Sequence, residues 1–210
     1  MVAKWWFPVA FMFVVSAFFS SIVIGFARFT DERVEANKDL AFEKAVLTVL
    51  PGLLQEGESR LEIHRKFVDR VGPPDEQSAG ACVLRDAGQI VAYALPIEGQ
   101  GFWAPIKGVV GLKSDRRTIT AIAFYEQNET PGLGAQITTA EFTSQFPGKV
   151  FSSEGKPISF KQPGSALGAN EVHAVTGATQ TSTRLEKIIN DALTEWRSKF
   201  TPAGGSNRAQ

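Results

Sequence analysis

A chain of 210 residues with 43% hydrophobic content has room for one membrane segment and one domain with its own core, which excludes two full globular domains. Its 22 Lys plus Arg balance 22 Asp plus Glu, so no excess of positive charge argues for a nucleic-acid partner. Cys82 is the sole cysteine, which rules out an intrachain disulfide or a thiolate cluster built from this chain alone; its place before Val83 and Leu84 marks a buried structural thiol.

Trp5 to Ala27 carries no charge and, as a helix rising about 1.5 Å per residue, is long enough to cross a bilayer. Trp5 and Trp6 suit the headgroup level, and Arg28, Asp31 and Glu32 end the apolar run. We read it as an anchor. The alternative is a cleaved signal peptide, for which Ser16-Ala17-Phe18 and Ser20-Ser21 offer a poor cleavage site. Lys4 precedes the run while Arg28, Arg33, Lys38 and Lys44 follow it. That count favours a domain inside, but a domain of this size translocates largely regardless of loop charge.

Asp31 to Leu50 follows as a helix, with Leu40, Ala41, Lys44 and Leu47 at helical spacing and Pro51-Gly52 as its stop. Gln55 to Gly80 is charged and broken by Gly72-Pro73-Pro74; its His64 has no Cys or His at ligand spacing, so no metal site is expected there. Four β-rich runs come next: Cys82–Leu84, Gln89–Ile97, Ile106–Leu112 and Thr118–Tyr125. Asp86-Ala87-Gly88 and Ser114-Asp115-Arg116-Arg117 read as hairpin loops, which makes neighbouring strands antiparallel. A short helix is expected over Thr139–Phe146 and a last strand over Val172–Val175. Ser182–Phe200 closes the chain as an amphipathic helix with Leu185, Ile188, Ile189, Leu193 and Trp196 on one face. The class is α+β: an anchor over 1–30, a helical lead-in over 31–80, a single domain with an antiparallel sheet flanked by helices over 81–200, and a disordered tail over 201–210.

Two runs carry chemistry. Thr176-Gly177-Ala178-Thr179-Gln180-Thr181-Ser182 leaves a strand and feeds a helix; small residues admit a ligand, and the first-turn N–H groups and the macrodipole favour a phosphate. Its plainer reading is an N-cap supplied by Thr181, Ser182 or Thr183. In Glu129-Thr130-Pro131-Gly132-Leu133-Gly134, Pro131 fixes the backbone while Gly132 and Gly134 allow Leu133 to face a planar ligand, with Glu129 and Thr130 adding polar atoms. Phe102 and Trp103 are candidate stacking partners, though aromatics also fill ordinary cores. No Gly-x-Gly-x-x-Gly fingerprint opens a βα unit, so no nicotinamide site is expected on this chain.

In their order along the chain the two runs resemble the FMN-binding domain shared by the flavin-carrying C subunit of the sodium-translocating NADH:quinone reductase and the G subunit of the Rnf electron-transport complex. Gly101-Phe102-Trp103-Ala104-Pro105-Ile106, Val109-Val110-Gly111-Leu112 and the single anchor add to the resemblance, which covers roughly Gly80 to Phe200. It implies that FMN is joined through its phosphate to Thr179, the last Thr of the family's motif, with Thr176, Gly177 and Ala178 before it. The motif's Asp is replaced here by His173, which we read as a strand residue near the ligand. The resemblance further implies a cofactor bed of Thr181, Glu129, Thr130, Gly132, Leu133, Gly134 and Trp103. It also implies a flavin donor such as FAD, a separate Mg-dependent flavin transferase, and a bacterial inner-membrane location with the domain on the periplasmic side. The expected role is electron relay beside the other subunits of an ion-translocating respiratory complex. The alternative is a membrane-tethered assembly or binding module with non-covalent FMN or none.

Overall fold

The computed structural model describes residues 6–55, 57–152 and 155–200; Lys4, Trp5 and the tail expected over 201–210 lie outside the described residues. Helix α1 spans Trp6–Val49. Anchor and lead-in, expected as two helices, form this one element, because neither Gly nor Pro interrupts the chain from Phe26 to Val49. Residues up to Asp39 form one unit and those from Leu40 a second. In the first, most apolar side chains from Trp6 to Phe29 are exposed, and the helix is long and apolar enough to cross a membrane by length and composition.

The second unit is built on a five-stranded sheet: β1 (Val71–Gly72), β2 (Cys82–Asp86), β3 (Gln89–Gln100), β4 (Pro105–Lys113) and β5 (Ile119–Glu126). Each strand pairs antiparallel with the next, so the sheet is the meander that the turn chemistry predicts. The β2–β3 loop is Ala87-Gly88 with φ of 47° and 80°, the twist-matched form of a two-residue hairpin. In the β4–β5 turn the Asp115 carboxylate accepts from the N–H of Arg117 and of Thr118 at 2.9 Å and from the Thr118 hydroxyl.

Strand alternation buries both faces. Cys82, Leu84, Ala92, Ala94 and Val109 pack against Val46, Leu47, Leu50 and Leu53 at and just beyond the end of α1 and against Ile63 of α2 (Arg60–Arg70). Val83, Tyr93, Leu95, Val110 and Leu112 point the other way onto α4 (Thr179–Ser198), whose buried stripe is the predicted Leu185, Ile188, Ile189, Leu193 and Trp196. Two glycines permit this sandwich. A Cβ on Gly99 would lie 2.5 Å from Ile188 of α4, and one on Gly111 would lie 2.5 Å from the Val49 carbonyl.

Several elements differ from expectation. Helix α2 has a full capping box, Ser59 with Glu62, which the charged composition of its segment obscured. Gly134–Thr138 forms a 3-10 turn that leads into α3 (Ala140–Thr143), shorter than the helix expected over Thr139–Phe146. The last strand is β7 (Glu171–His173) rather than Val172–Val175, and it pairs in parallel with β6 (Ser159–Lys161), which the sequence did not announce. Three-residue strands carry too little periodicity to be read. The β6 lead-in is fixed from α4, where the Asn190 amide exchanges two 2.8 Å bonds with the backbone of Ile158.

Candidate functional site

Helix α4 begins at Thr179, not at the expected Ser182, and this changes what each hydroxyl does. The N-cap is Ala178, which offers no side-chain acceptor, so the expected cap from Thr181, Ser182 or Thr183 is not formed. Thr181 instead donates its hydroxyl to Glu129 Oε2 at 2.7 Å, and Ser182 Oγ accepts from the Val175 N–H at 3.1 Å. Both are buried, whereas Thr179, at the first helical position, is exposed. The uncapped first turn therefore presents N–H groups and the positive end of a 20-residue helix beside an exposed hydroxyl.

Gly177, ahead of that turn, has φ of +73°, and a Cβ there would stand 3.2 Å from Leu133 Cδ2. The positive φ favours glycine, and a Cβ would also press on the Leu133 side chain. Leu133 is held half-exposed by a tight loop in which the Thr130 carbonyl accepts from the N–H of Leu133 and of Ala135 at 3.1 Å.

Glu129, at the start of that loop, is buried, 5% exposed. Its Oε1 accepts from the N–H of Phe102 at 2.7 Å and of Trp103 at 3.2 Å, while Oε2 takes the Thr181 hydroxyl. The carboxylate thus binds protein groups from two other segments while the residue lines the cleft. Trp103 donates Nε1–H to Thr130 Oγ1 at 3.1 Å and meets Phe102 edge to face at 5.0 Å between ring centroids.

The structure brings Trp103, Glu129, Thr130, Leu133, Gly134, Gly177, Ala178, Thr179 and Thr181 around one cleft of about 370 Å³, with Phe102 and Gln180 completing its lining. Thr176 and Gly132 line a neighbouring cavity of about 690 Å³ together with His173, Gln145, Glu141 and Leu167. His173 Nε2 lies 2.9 Å from the Ser165 carbonyl, which can only accept, so Nε2 is the donor in this bond. The Gln145 side chain receives the His173 backbone N–H at 2.7 Å. Sequence reasoning missed Gln145 and also Arg184, whose guanidinium carbon lies 6.0 Å from the Phe102 ring centroid; neither stands in a recognisable motif.

An uncapped helix start, a φ-positive glycine without Cβ, an exposed threonine and an apolar wall of Phe102, Trp103 and Leu133 suit a phosphate joined to a planar ring. Residues 101–194 match the model of the FMN-binding domain. The C subunit of the Na(+)-translocating NADH-quinone reductase from Chlamydia pneumoniae is 47% identical over 74 residues, 35% of this chain and 23% of that protein. The corresponding protein of Pasteurella multocida is 33% identical over 117 residues, 54% of this chain and 43% of its own length. The chain thus spans less than half the length of these curated relatives. Among solved structures, the same reductase component from Parabacteroides distasonis superposes with a TM-score of 0.64 at 24% identity, covering 84% of this chain and 98% of that one. NqrC from Shewanella oneidensis gives 0.63 at 20% identity, over 79% and 99%. These two likenesses show the fold: an antiparallel sheet with helices, as the sequence pattern predicts.

Proposed function

We propose that the chain is a single-pass inner-membrane flavoprotein that carries FMN as a phosphoester on Thr179 and relays electrons within an ion-translocating redox complex of the NADH:quinone reductase or Rnf type. In this reading residues 1–30 are the anchor, 31–80 the lead-in and 81–200 the flavin domain, held on the periplasmic side. The observation that carries it is the contrast in the first turn of α4: Thr181 and Ser182 are buried in hydrogen bonds to the protein, while Thr179 is exposed at the uncapped helix start.

Attachment joins Thr179 Oγ1 to the flavin-side phosphorus of a flavin dinucleotide. The pyrophosphate bond breaks, AMP leaves with the bonding electrons, and the hydroxyl proton passes to a base of the transferase or to water. The α4 N–H groups and dipole then hold the ester's negative charge. Trp103, Leu133 and Thr130 offer a wall for the ring, with Gly132 and Thr176 at its margin. The cofactor supplies the electron chemistry; the protein supplies tethering, orientation and a low-dielectric surface. The other subunits would supply donor and acceptor.

Intact mass of the full chain, coexpressed with a Mg-dependent flavin transferase, tests this reading. The native protein gains FMN minus water and Thr179→Ala does not. An equal adduct on the variant moves the bond to another hydroxyl, Thr176 first. His173 in the place of the motif's Asp favours a second reading, a tethered module with non-covalent FMN or none. That module would yield yellow protein whose flavin is released by acid, or colourless protein.

A further inference from the structure

We propose that Glu129 is a positioning residue for flavin attachment: its buried carboxylate clamps three chain segments so that Thr179 and the aromatic wall face one another across the cleft. The inference rests on the reading of Thr179 as the flavin acceptor and deepens it.

Glu129 lies in the segment after β5. Its Oε1 draws in the loop between β3 and β4 through the N–H groups of Phe102 and Trp103, and its Oε2 draws in the first turn of α4 through Thr181. Both oxygens are occupied by protein donors, so the residue acts through what it holds. Thr181 is two positions after Thr179 on the same helical turn, and Phe102 and Trp103 are the aromatic lining opposite.

The surrounding backbone reserves room for this group. A Cβ on Gly101 would lie 2.5 Å from Glu129 Oε1, and one on Gly134 would lie 2.8 Å from Oε2 and 2.6 Å from the Thr181 hydroxyl oxygen. A fold needing only a packed core would be served by an apolar side chain here, without the desolvation cost of a buried carboxylate. A carboxylate accepts at both oxygens, and it fixes the Thr181 hydroxyl as a donor to Oε2. Glutamine keeps an acceptor for the two N–H groups but must donate to Thr181, so it preserves the loop link and reverses the helix link.

The test uses the full-length protein with a Mg-dependent flavin transferase and FAD, following the FMN adduct by intact mass over time and the visible circular dichroism of the loaded flavin. Glu129→Ala is expected to slow attachment at least tenfold and to weaken the flavin dichroism per bound FMN. Glu129→Gln should recover most of both. Thr181→Val should slow attachment, and its combination with Glu129→Ala should be no slower than Glu129→Ala alone, because the two remove one link. Wild-type rate and dichroism in Glu129→Ala, even with a lower melting temperature, would overturn the inference and leave Glu129 a fold residue only. If Glu129→Ala does not fold, a wild-type attachment rate in Thr181→Val overturns it. A native chain that takes no adduct, beside a transferase that loads another acceptor, refutes the Thr179 reading and the inference with it. An adduct on the native chain with Glu129→Ala and Thr181→Val unaffected refutes the inference alone.

Discussion

Gly101 shows how narrowly single residues are specified around the cleft. A Cβ there would meet Glu129 Oε1 at 2.5 Å and the Ala104 carbonyl at 2.6 Å, and the second of these is backbone that cannot swing aside. Gly101→Ala is therefore expected to destabilise the fold by about 1–3 kcal/mol, read as a lower urea midpoint with unchanged slope. At this scale the sequence is most legible where chemistry is local. The glycines of the Pro131–Gly134 run and the exposed threonine of the Thr176–Ser182 run are recognisable by type and order. The task of Glu129 is not, because its partner Thr181 lies 52 residues further along the chain and only the fold brings them together. The same holds for His173, whose Gln145 partner is 28 residues away.

Elements are legible in proportion to their length and period. Strands β2 to β5 alternate buried side chains between two faces and are joined by turns with recognisable residues, so their order and direction follow directly. Helix α2 escapes the periodicity although Ser59 and Glu62 spell out its start; the Ser59 hydroxyl accepts from the Glu62 N–H at 3.3 Å and Glu62 returns a bond to the Ser59 N–H at 2.8 Å. Ser59→Ala should cost about 1 kcal/mol of stability in chemical denaturation, and a loss below a few tenths would show that α2 is held by packing alone. The start of α4 is ambiguous in the sequence because three consecutive hydroxyl residues each qualify as caps by type. Tertiary bonds to Glu129 and Val175 claim two of them and leave the cap to Ala178.

Across the whole molecule, carboxylates tied to backbone donors set the response to acid. Backbone N–H groups lower Glu62 (from Ser59), Asp75 (from Ser78) and Glu171 (from Gly168) below the ordinary carboxylate range. Burial pushes Asp115 up, but the Thr118 hydroxyl and the Thr118 and Arg117 N–H groups together outweigh it and leave it lowered. A carboxylate lowered in the folded state contributes stability that is full above its unfolded pKa and is lost as pH falls through the folded value. The urea midpoint should accordingly fall as pH drops from neutrality to below about 4, the unfolded carboxylate range. Asp115→Asn should flatten that fall, and an unchanged profile would remove Asp115 from the account. The layers of the second unit are partly foreseeable. The sheet and its α4 cover follow from periodicity, whereas the parallel pair of β6 and β7 depends on contacts such as Asn190 with Ile158 that no local pattern encodes.

Two tryptophans of the second unit sit in opposite surroundings. Trp196 is 1% exposed, hydrogen-bonded to the Ser78 carbonyl and wedged against Tyr93 and Phe200, whereas Trp103 is 66% exposed on the cleft wall. With Trp5 and Trp6 replaced by phenylalanine, the intrinsic emission of the chain would separate into a blue component from the interior and a red one from the rim. Acrylamide would extinguish only the latter, so one spectrum would track core integrity and cleft occupancy side by side.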